Sequence, residues 1–176
     1  MDTRFLGTNV CKVDGKGRVS LPAKFRRVLQ AEDAKCGPGE APRLYVMFGD
    51  TRNEYVECLT GNAYDELLER IESMADGERD REILELLYFS FCDAITVDDA
   101  GRFVLPQGAR DKLDLEGEAV FQGKGRRFHI LKPSDSEAAK DRLAALLDQA
   151  AGDKEFFNPI SLANPPKATP VADDVQ

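Results

Sequence analysis

Long apolar runs are missing from this 176-residue chain, and none approaches the length of a membrane span. Residues 1–12 hold no extended apolar stretch, so no secretory leader is expected and the expected location is the cytoplasm. Histidine is almost absent. His129 is the single one, in an alternating, strand-like stretch where a lone imidazole reads as structural. The cysteines Cys11, Cys36, Cys58 and Cys92 are widely spaced with no C-x-x-C pair, which points to reduced thiols rather than a zinc site or disulfides. Gly15-Lys16-Gly17 and Gly123-Lys124-Gly125 lack the full G-x-x-x-x-G-K-S/T pattern of a phosphate loop. No pair of carboxylates stands out as acid and base. With no catalytic residue, metal ligand or cofactor motif to name, an enzyme is not expected, and neither is a cofactor or a small-molecule substrate.

What is present is a repeat. Val13-Asp14-Gly15-Lys16-Gly17-Arg18-Val19-Ser20-Leu21-Pro22 returns as Val97-Asp98-Asp99-Ala100-Gly101-Arg102-Phe103-Val104-Leu105-Pro106, and internal self-similarity decides architecture. Asp-x-x-Gly-Arg reads as a tight turn: the Asp side chain bonds its own backbone a few residues on, and the Gly takes positive φ. A short extended run follows, and proline suits the first position of a helix. Each copy is therefore expected to run turn, strand, short helix.

The copies differ in charge. Residues 12–27 hold Lys12, Lys16, Arg18, Lys24, Arg26 and Arg27 against Asp14 alone, whereas residues 96–111 hold Arg102 and Arg110 against Asp98, Asp99 and Asp111. The net charge is −8, but residues 1–29 carry seven basic and two acidic side chains. A basic patch on an acidic body steers toward phosphates whatever the total.

Around the motifs, residues 5–13 read as a strand, 44–48 with 55–59 as a hairpin, and 30–43 as a loop. Tyr64, Leu67, Leu68, Ile71 and Met74 share one helical face, and Ile83 to Phe91 form a second. The second half replays the order: a strand at 92–97, the motif, a hairpin over 119–131, and a helix over 134–150 with Ala139, Leu143, Leu146, Leu147 and Ala150 on one face. Arg126 and Arg127 read as solvated at a hairpin tip. The expected class is α+β: a first repeat over 5–60, a helical insert over 61–91, a second repeat over 92–133, a helix over 134–150, and a disordered tail over 151–176. Neither half has strand enough to close a sheet alone. The economical solution is two repeats interlocked into one small barrel with pseudo-two-fold symmetry and no open edges.

The duplicated Asp-x-x-x-Arg motif, at this spacing and with its hairpins, resembles the MraZ family of bacterial transcription regulators, related to AbrB and SpoVT DNA-binding domains. The resemblance covers about residues 5–147. It implies a swapped-hairpin AbrB-like β-barrel flanked by helices, rings of roughly eight to twelve subunits, and a double-stranded DNA partner. The implied target is a set of direct repeats upstream of the chain's own division and cell-wall gene cluster, usually bound as a repressor, with nucleoid association in some members. Asp14 and Arg18 match the first motif, Asp98 and Arg102 the second. The chain departs from the family's opening Phe-Arg-Gly, having Phe5-Leu6-Gly7 with Arg4 beside it. It also carries Asp99 and Ala100 where a basic or polar residue is usual.

Lys16 and Arg18 are therefore expected to reach DNA bases, with Lys12, Lys24, Arg26, Arg27 and Arg4 on phosphates. The competing reading of Arg18 is an ion pair with Asp14 that braces the turn, and that reading is preferred for Arg102 with Asp98. A ring-forming scaffold or an antitoxin-like binder of another protein is the alternative function.

Overall fold

A computed structural model describes residues 3–163. The two motif copies fold alike because the same side chains make the same bonds. Asp14 Oδ1 accepts the backbone N–H of Lys16 and of Arg18, both at 2.9 Å, and Asp98 Oδ1 accepts those of Ala100 at 2.9 Å and Arg102 at 2.8 Å. Gly17 and Gly101 sit at φ of +76° and +81°, which closes each turn where a side chain would be strained. The chain then runs from β1 (Thr8–Lys12) through the turn into β2 (Arg18–Ser20), and from β5 (Cys92–Thr96) into β6 (Arg102–Val104). Helices α1 (Ala23–Ala31) and α4 (Gln107–Leu113) follow one residue after each proline. Pro22 and Pro106 stand just outside their helices rather than at the first helical position. Their carbonyls accept the first helical bonds, from Phe25 at 2.8 Å and Arg110 at 2.9 Å.

The remaining elements are β3 (Arg43–Met47), β4 (Tyr55–Thr60), α2 (Gly61–Glu72), α3 (Arg79–Glu85), β7 (Glu118–Gly123), β8 (Arg127–Leu131) and α5 (Pro133–Ala151). A single π-helical turn, Leu86–Ser90, joins α3 to β5. The six-stranded antiparallel sheet has the order β1-β7-β8-β4-β3-β5. That order is a palindrome about the β8–β4 contact: each half's first strand pairs with the other half's hairpin, as in Val10 opposite Val120 and Leu44 opposite Ile95. The motif strands leave this sheet and pair with each other, β2 against β6.

One expectation is corrected. The strand pairing leaves β1 and β5 as open edges, because the Asp turns divert the chain into the β2–β6 ribbon before those strands can meet. Both repeats fall within one compact unit ending at Glu137, so they are not separate domains. The second unit, from Ala138, holds the rest of α5 and a 3-10 turn at Pro159–Ala163. Leu143 and Leu146, read as sharing one apolar face, are more than half exposed. The part of the expected tail beyond residue 163 lies outside the described residues. Among them, no helix is long and apolar enough to cross a membrane.

The core sits between ribbon, short helices and sheet. Equivalent positions of the two copies belong to this one core: Val19 and Phe103, Leu21 and Leu105, and Leu29 and Leu113, all at most 5% exposed. Phe128 lies at its centre, with ring centroids 4.9 Å from Phe5, 5.3 Å from Phe25 and 5.7 Å from Phe121.

Several buried or half-buried polar groups are paired. Asp33, after α1, accepts the Arg43 guanidinium and backbone N–H, which ties the 30–43 loop to β3. Glu57 in β4 accepts the Tyr88 hydroxyl at 2.8 Å and faces Arg127 at 3.3 Å. His129 is buried and stacks on Tyr55 with centroids 3.7 Å apart. Arg126 makes a two-pronged pair with Glu66 of α2, both contacts at 2.5 Å. The hairpin-tip arginines are thus bound, Arg126 to the insert and Arg127 to the first repeat, rather than merely solvated.

Truncating Phe128 to Ala removes a ring from a site with no solvent. The expected loss is about 3–5 kcal/mol of unfolding free energy, read by chemical denaturation; a loss below about 1 kcal/mol would contradict this core.

Candidate nucleic-acid interface

Alternation along the ribbon decides what it shows to solvent. Val19 and Phe103 point inward, so Arg18, Ser20, Arg102 and Val104 point outward. In the antiparallel register Arg18 stands opposite Val104 and Ser20 opposite Arg102. The two arginines therefore occupy diagonal corners of one exposed face. They line a groove of about 560 Å³ together with Lys12, Ser20, Asp14 and Asp98. A two-stranded ribbon has the width that the major groove of B-DNA admits.

Both arginines are held by their own turns. Arg18 Nε donates to Asp14 Oδ2 at 2.5 Å and Arg102 Nε to Asp98 Oδ2 at 3.0 Å, with the arginine side chains 58% and 64% exposed. The two readings of Arg18 are thus compatible. The carboxylate uses only Nε, and the terminal Nη groups of both arginines have no partner among the described residues. A guanidinium fixed at Nε with its outer nitrogens open is aimed for bidentate hydrogen bonding.

The other sequence candidates fall into two groups. Lys12, Lys16 and Arg27 are exposed, and their side chains have no hydrogen-bond or ion-pair partner among the described residues. Arg26 is engaged elsewhere: its Nη1 donates to the carbonyl of Asp99, in the other repeat's turn, at 2.7 Å. Its counterpart Arg110 donates to the carbonyl of Lys16 at 3.2 Å. Each helix arginine is a brace for the opposite turn, and Arg110 was not singled out from sequence. Lys24 leans on Phe25, its Nζ 5.9 Å from the ring centroid. Arg4 is exposed and donates to the Thr3 carbonyl. Lys16 and Arg18 share a turn, and Lys12 enters the same groove from β1.

A family model described as "MraZ protein, putative antitoxin-like" matches residues 4–45. Proteins named "Transcriptional regulator MraZ" match over most of the chain. The one from Ruegeria sp. (strain TM1040) is 42% identical, over 91% of this chain and 95% of its own. The chain belongs to the MraZ family. The MraZ protein of Ruegeria pomeroyi is 38% identical over 91% of this chain and 95% of its own. That of Rhodospirillum rubrum is 34% identical over 84% and 92%.

The turns make a pH prediction. The Arg18 backbone N–H, then its guanidinium, hold the Asp14 carboxyl below the usual carboxylate range, and the Arg102 backbone N–H does the same for Asp98. A carboxyl depressed in the folded state stabilises the turn above its ordinary value of about 3.9 and loses that contribution as pH falls through the depressed one. Carboxyl-carbon NMR titration is expected to place both midpoints below about 3.9, with Arg18 and Arg102 Nε signals shifting in step; midpoints at or above that value would remove the carboxylate clamp.

Proposed function

We propose that this MraZ-family chain is a sequence-specific DNA-binding transcriptional regulator that represses from direct repeats upstream of its own division and cell-wall gene cluster. The carrying observation is the shared exposed face of Arg18 and Arg102 on one ribbon, beside Lys12 and Lys16. The palindromic strand order supports reading the two repeats as a swapped-hairpin AbrB-like pair, with the main sheet open at β1 and β5. In this reading the ribbon enters the major groove, and Arg18 and Arg102 read guanine edges. Lys12, Lys16 and Arg27 neutralise phosphates, and Arg26 and Arg110 keep the turns in place. The second motif is then a reader and not only a structural copy.

One ribbon per subunit is a small footprint, and a closed ring of eight to twelve would set ribbons at fixed spacing. Tandem operator repeats would then engage several at once, and effective concentration would supply the affinity. The acidic remainder of the chain directs DNA to the ribbon face. The relatives' printed name, transcriptional regulator, supports the same reading. The antitoxin-like description of the family model keeps one rival in view, a protein partner in place of DNA.

Fluorescence anisotropy on the DNA upstream of the gene, with a scrambled duplex as control, tests this. Arg18→Ala and Arg102→Ala are each expected to cost about 1–3 kcal/mol of discrimination per base read, roughly 5- to 150-fold in specific affinity. Lys12→Ala is expected to weaken both duplexes alike and to lower the salt slope by about 0.9 per phosphate contact. Arg102→Ala binding like wild type would return the second motif to a bracing role. No binding by wild type at low salt would remove the DNA reading and favour the protein partner.

A further inference from the structure

A cleft of about 400 Å³ opens between α2, β4, the π turn and the tip of the β7–β8 hairpin. It shares no lining residue with the Arg18–Arg102 groove, and its volume is that of a small-molecule site. Leu59, Ala63, Leu67 and the Tyr88 ring give it apolar walls. Its charged groups are four cations, Arg70, Lys124, Arg126 and Arg127, against two acids, Glu57 and Glu66.

The charges are divided by depth. All four cations are exposed, whereas the Glu57 side chain is only 8% exposed. Two cations are matched by the two acids: Arg126 grips Glu66, and Arg127 faces Glu57. Lys124 and Arg70 remain, with no side-chain hydrogen bond or ion pair among the described residues. Two unmatched cations beside one another at a cleft suit the charge of a phosphomonoester, about −1.5 to −2 at neutral pH. The deep carboxylate is not filled either. Glu57 Oε1 accepts the Tyr88 hydroxyl at 2.8 Å, and Oε2 has Arg127 at 3.3 Å. His129 Nε2 stands 3.7 Å from Oε2, too far for a hydrogen bond, and is a buried nitrogen with no hydrogen-bond partner among the described residues. A carboxylate has about four acceptor sites, so Glu57 keeps room for a further donor.

We infer that this cleft binds a small organic phosphate that carries an O–H or N–H donor away from its phosphate. Lys124 and Arg70 hold the phosphate at the exposed side. Leu67 and Tyr88 pack on the body of the ligand, and the donor end bonds to Glu57. Charge-assisted hydrogen bonds thus grip both ends, and the buried one selects an organic phosphate over the bare ion. The cleft and the ribbon use different side chains, so ligand and DNA do not compete for them.

The single histidine makes the test direct, since His129 stands against Glu57 and its imidazole nitrogens give one set of NMR signals. Inorganic phosphate, glucose 6-phosphate and guanosine monophosphate are titrated separately at fixed pH, without DNA and in a phosphate-free buffer. At least one organic phosphate is expected to shift the His129 signals to saturation at a concentration about 10-fold or more below that of inorganic phosphate, for one added bond to a buried charged group. Saturation by the sugar phosphate alone identifies a sugar-phosphate ligand, and by the nucleotide alone a nucleotide. Lys124→Ala and Arg70→Ala, both at exposed positions, are each expected to weaken binding about 10-fold. Glu57→Gln, which keeps an acceptor for Tyr88, is expected to erase the advantage over inorganic phosphate. No saturation by either organic phosphate would overturn the site. Inorganic phosphate binding as tightly as both would overturn the role of Glu57, and wild-type binding by both Lys124→Ala and Arg70→Ala would overturn the phosphate position. Each outcome is read apart from DNA binding.

Discussion

Two backbone hydrogen bonds hold the repeats together, and the rest of the first unit follows from them. The Leu21 N–H donates to the Gly101 carbonyl at 2.7 Å, and the Leu105 N–H donates to the Gly17 carbonyl at 2.9 Å. Each crosses from the end of one motif strand to the turn of the other. The accepting carbonyls are aimed there because both glycines stand at positive φ. Neither turn has its full set of partners unless the other has formed. Arg26 on the Asp99 carbonyl and Arg110 on the Lys16 carbonyl repeat the same reciprocity with side chains. The repeats must therefore form together, and with partners some 70 to 95 residues apart in the chain, loop closure is the step that folding waits for.

This symmetry separates residues that hold the fold from residues that set its field. Asp14 and Asp98, Arg18 and Arg102, Arg26 and Arg110 occur at both equivalent places, and all six are bound in the two turns. The lysines are different. Lys12, Lys16 and Lys24 correspond to Thr96, Ala100 and Gly108, and Arg27 corresponds to Asp111. No bond in the scaffold depends on these four, so one copy could lose them freely. At Gly108 the ring of Phe48 occupies the space where a side chain would stand, so the second copy has exchanged a surface cation for packing.

The sequence showed whatever is written within about five residues. The Asp turns, the start of each short helix, the hairpins and the basic stretch all arise from neighbours in the chain. What it concealed was made by distant pairs. Arg26 read only as a phosphate contact because the carbonyl that it braces, that of Asp99, lies 73 residues away. Arg126 looked solvated because Glu66 is 60 residues upstream. Arg102 looked merely structural because its own window is acidic, and only the β2–β6 pairing sets it across from Ser20 and diagonal to Arg18. The repeat carried that information: two copies of an alternating strand related by a pseudo-two-fold must present their arginines on one face. The apolar spacing in α5 sets Leu143 and Leu146 on one face, and both are more than half exposed, since periodicity reports a face and not its partner.

An acidic protein that reads DNA is a contradiction only if net charge acts from a point. At physiological salt, exposed charges are screened within about 8 Å. In the proposed reading, a phosphate at the ribbon meets Lys12, Arg18 and Arg102, which line the groove, with Lys16 in the adjoining turn, and no carboxylate of α2 or α3 lines it. In that reading those carboxylates act on approach rather than on binding: they make wrong orientations unfavourable and funnel encounters to the face where Arg18 and Arg102 stand clamped. Asp14 and Asp98, the acids closest to the site, are the exception that proves useful. Each spends its charge on an Nε and two backbone N–H groups, and so orients a cation without cancelling the nitrogens that face outward.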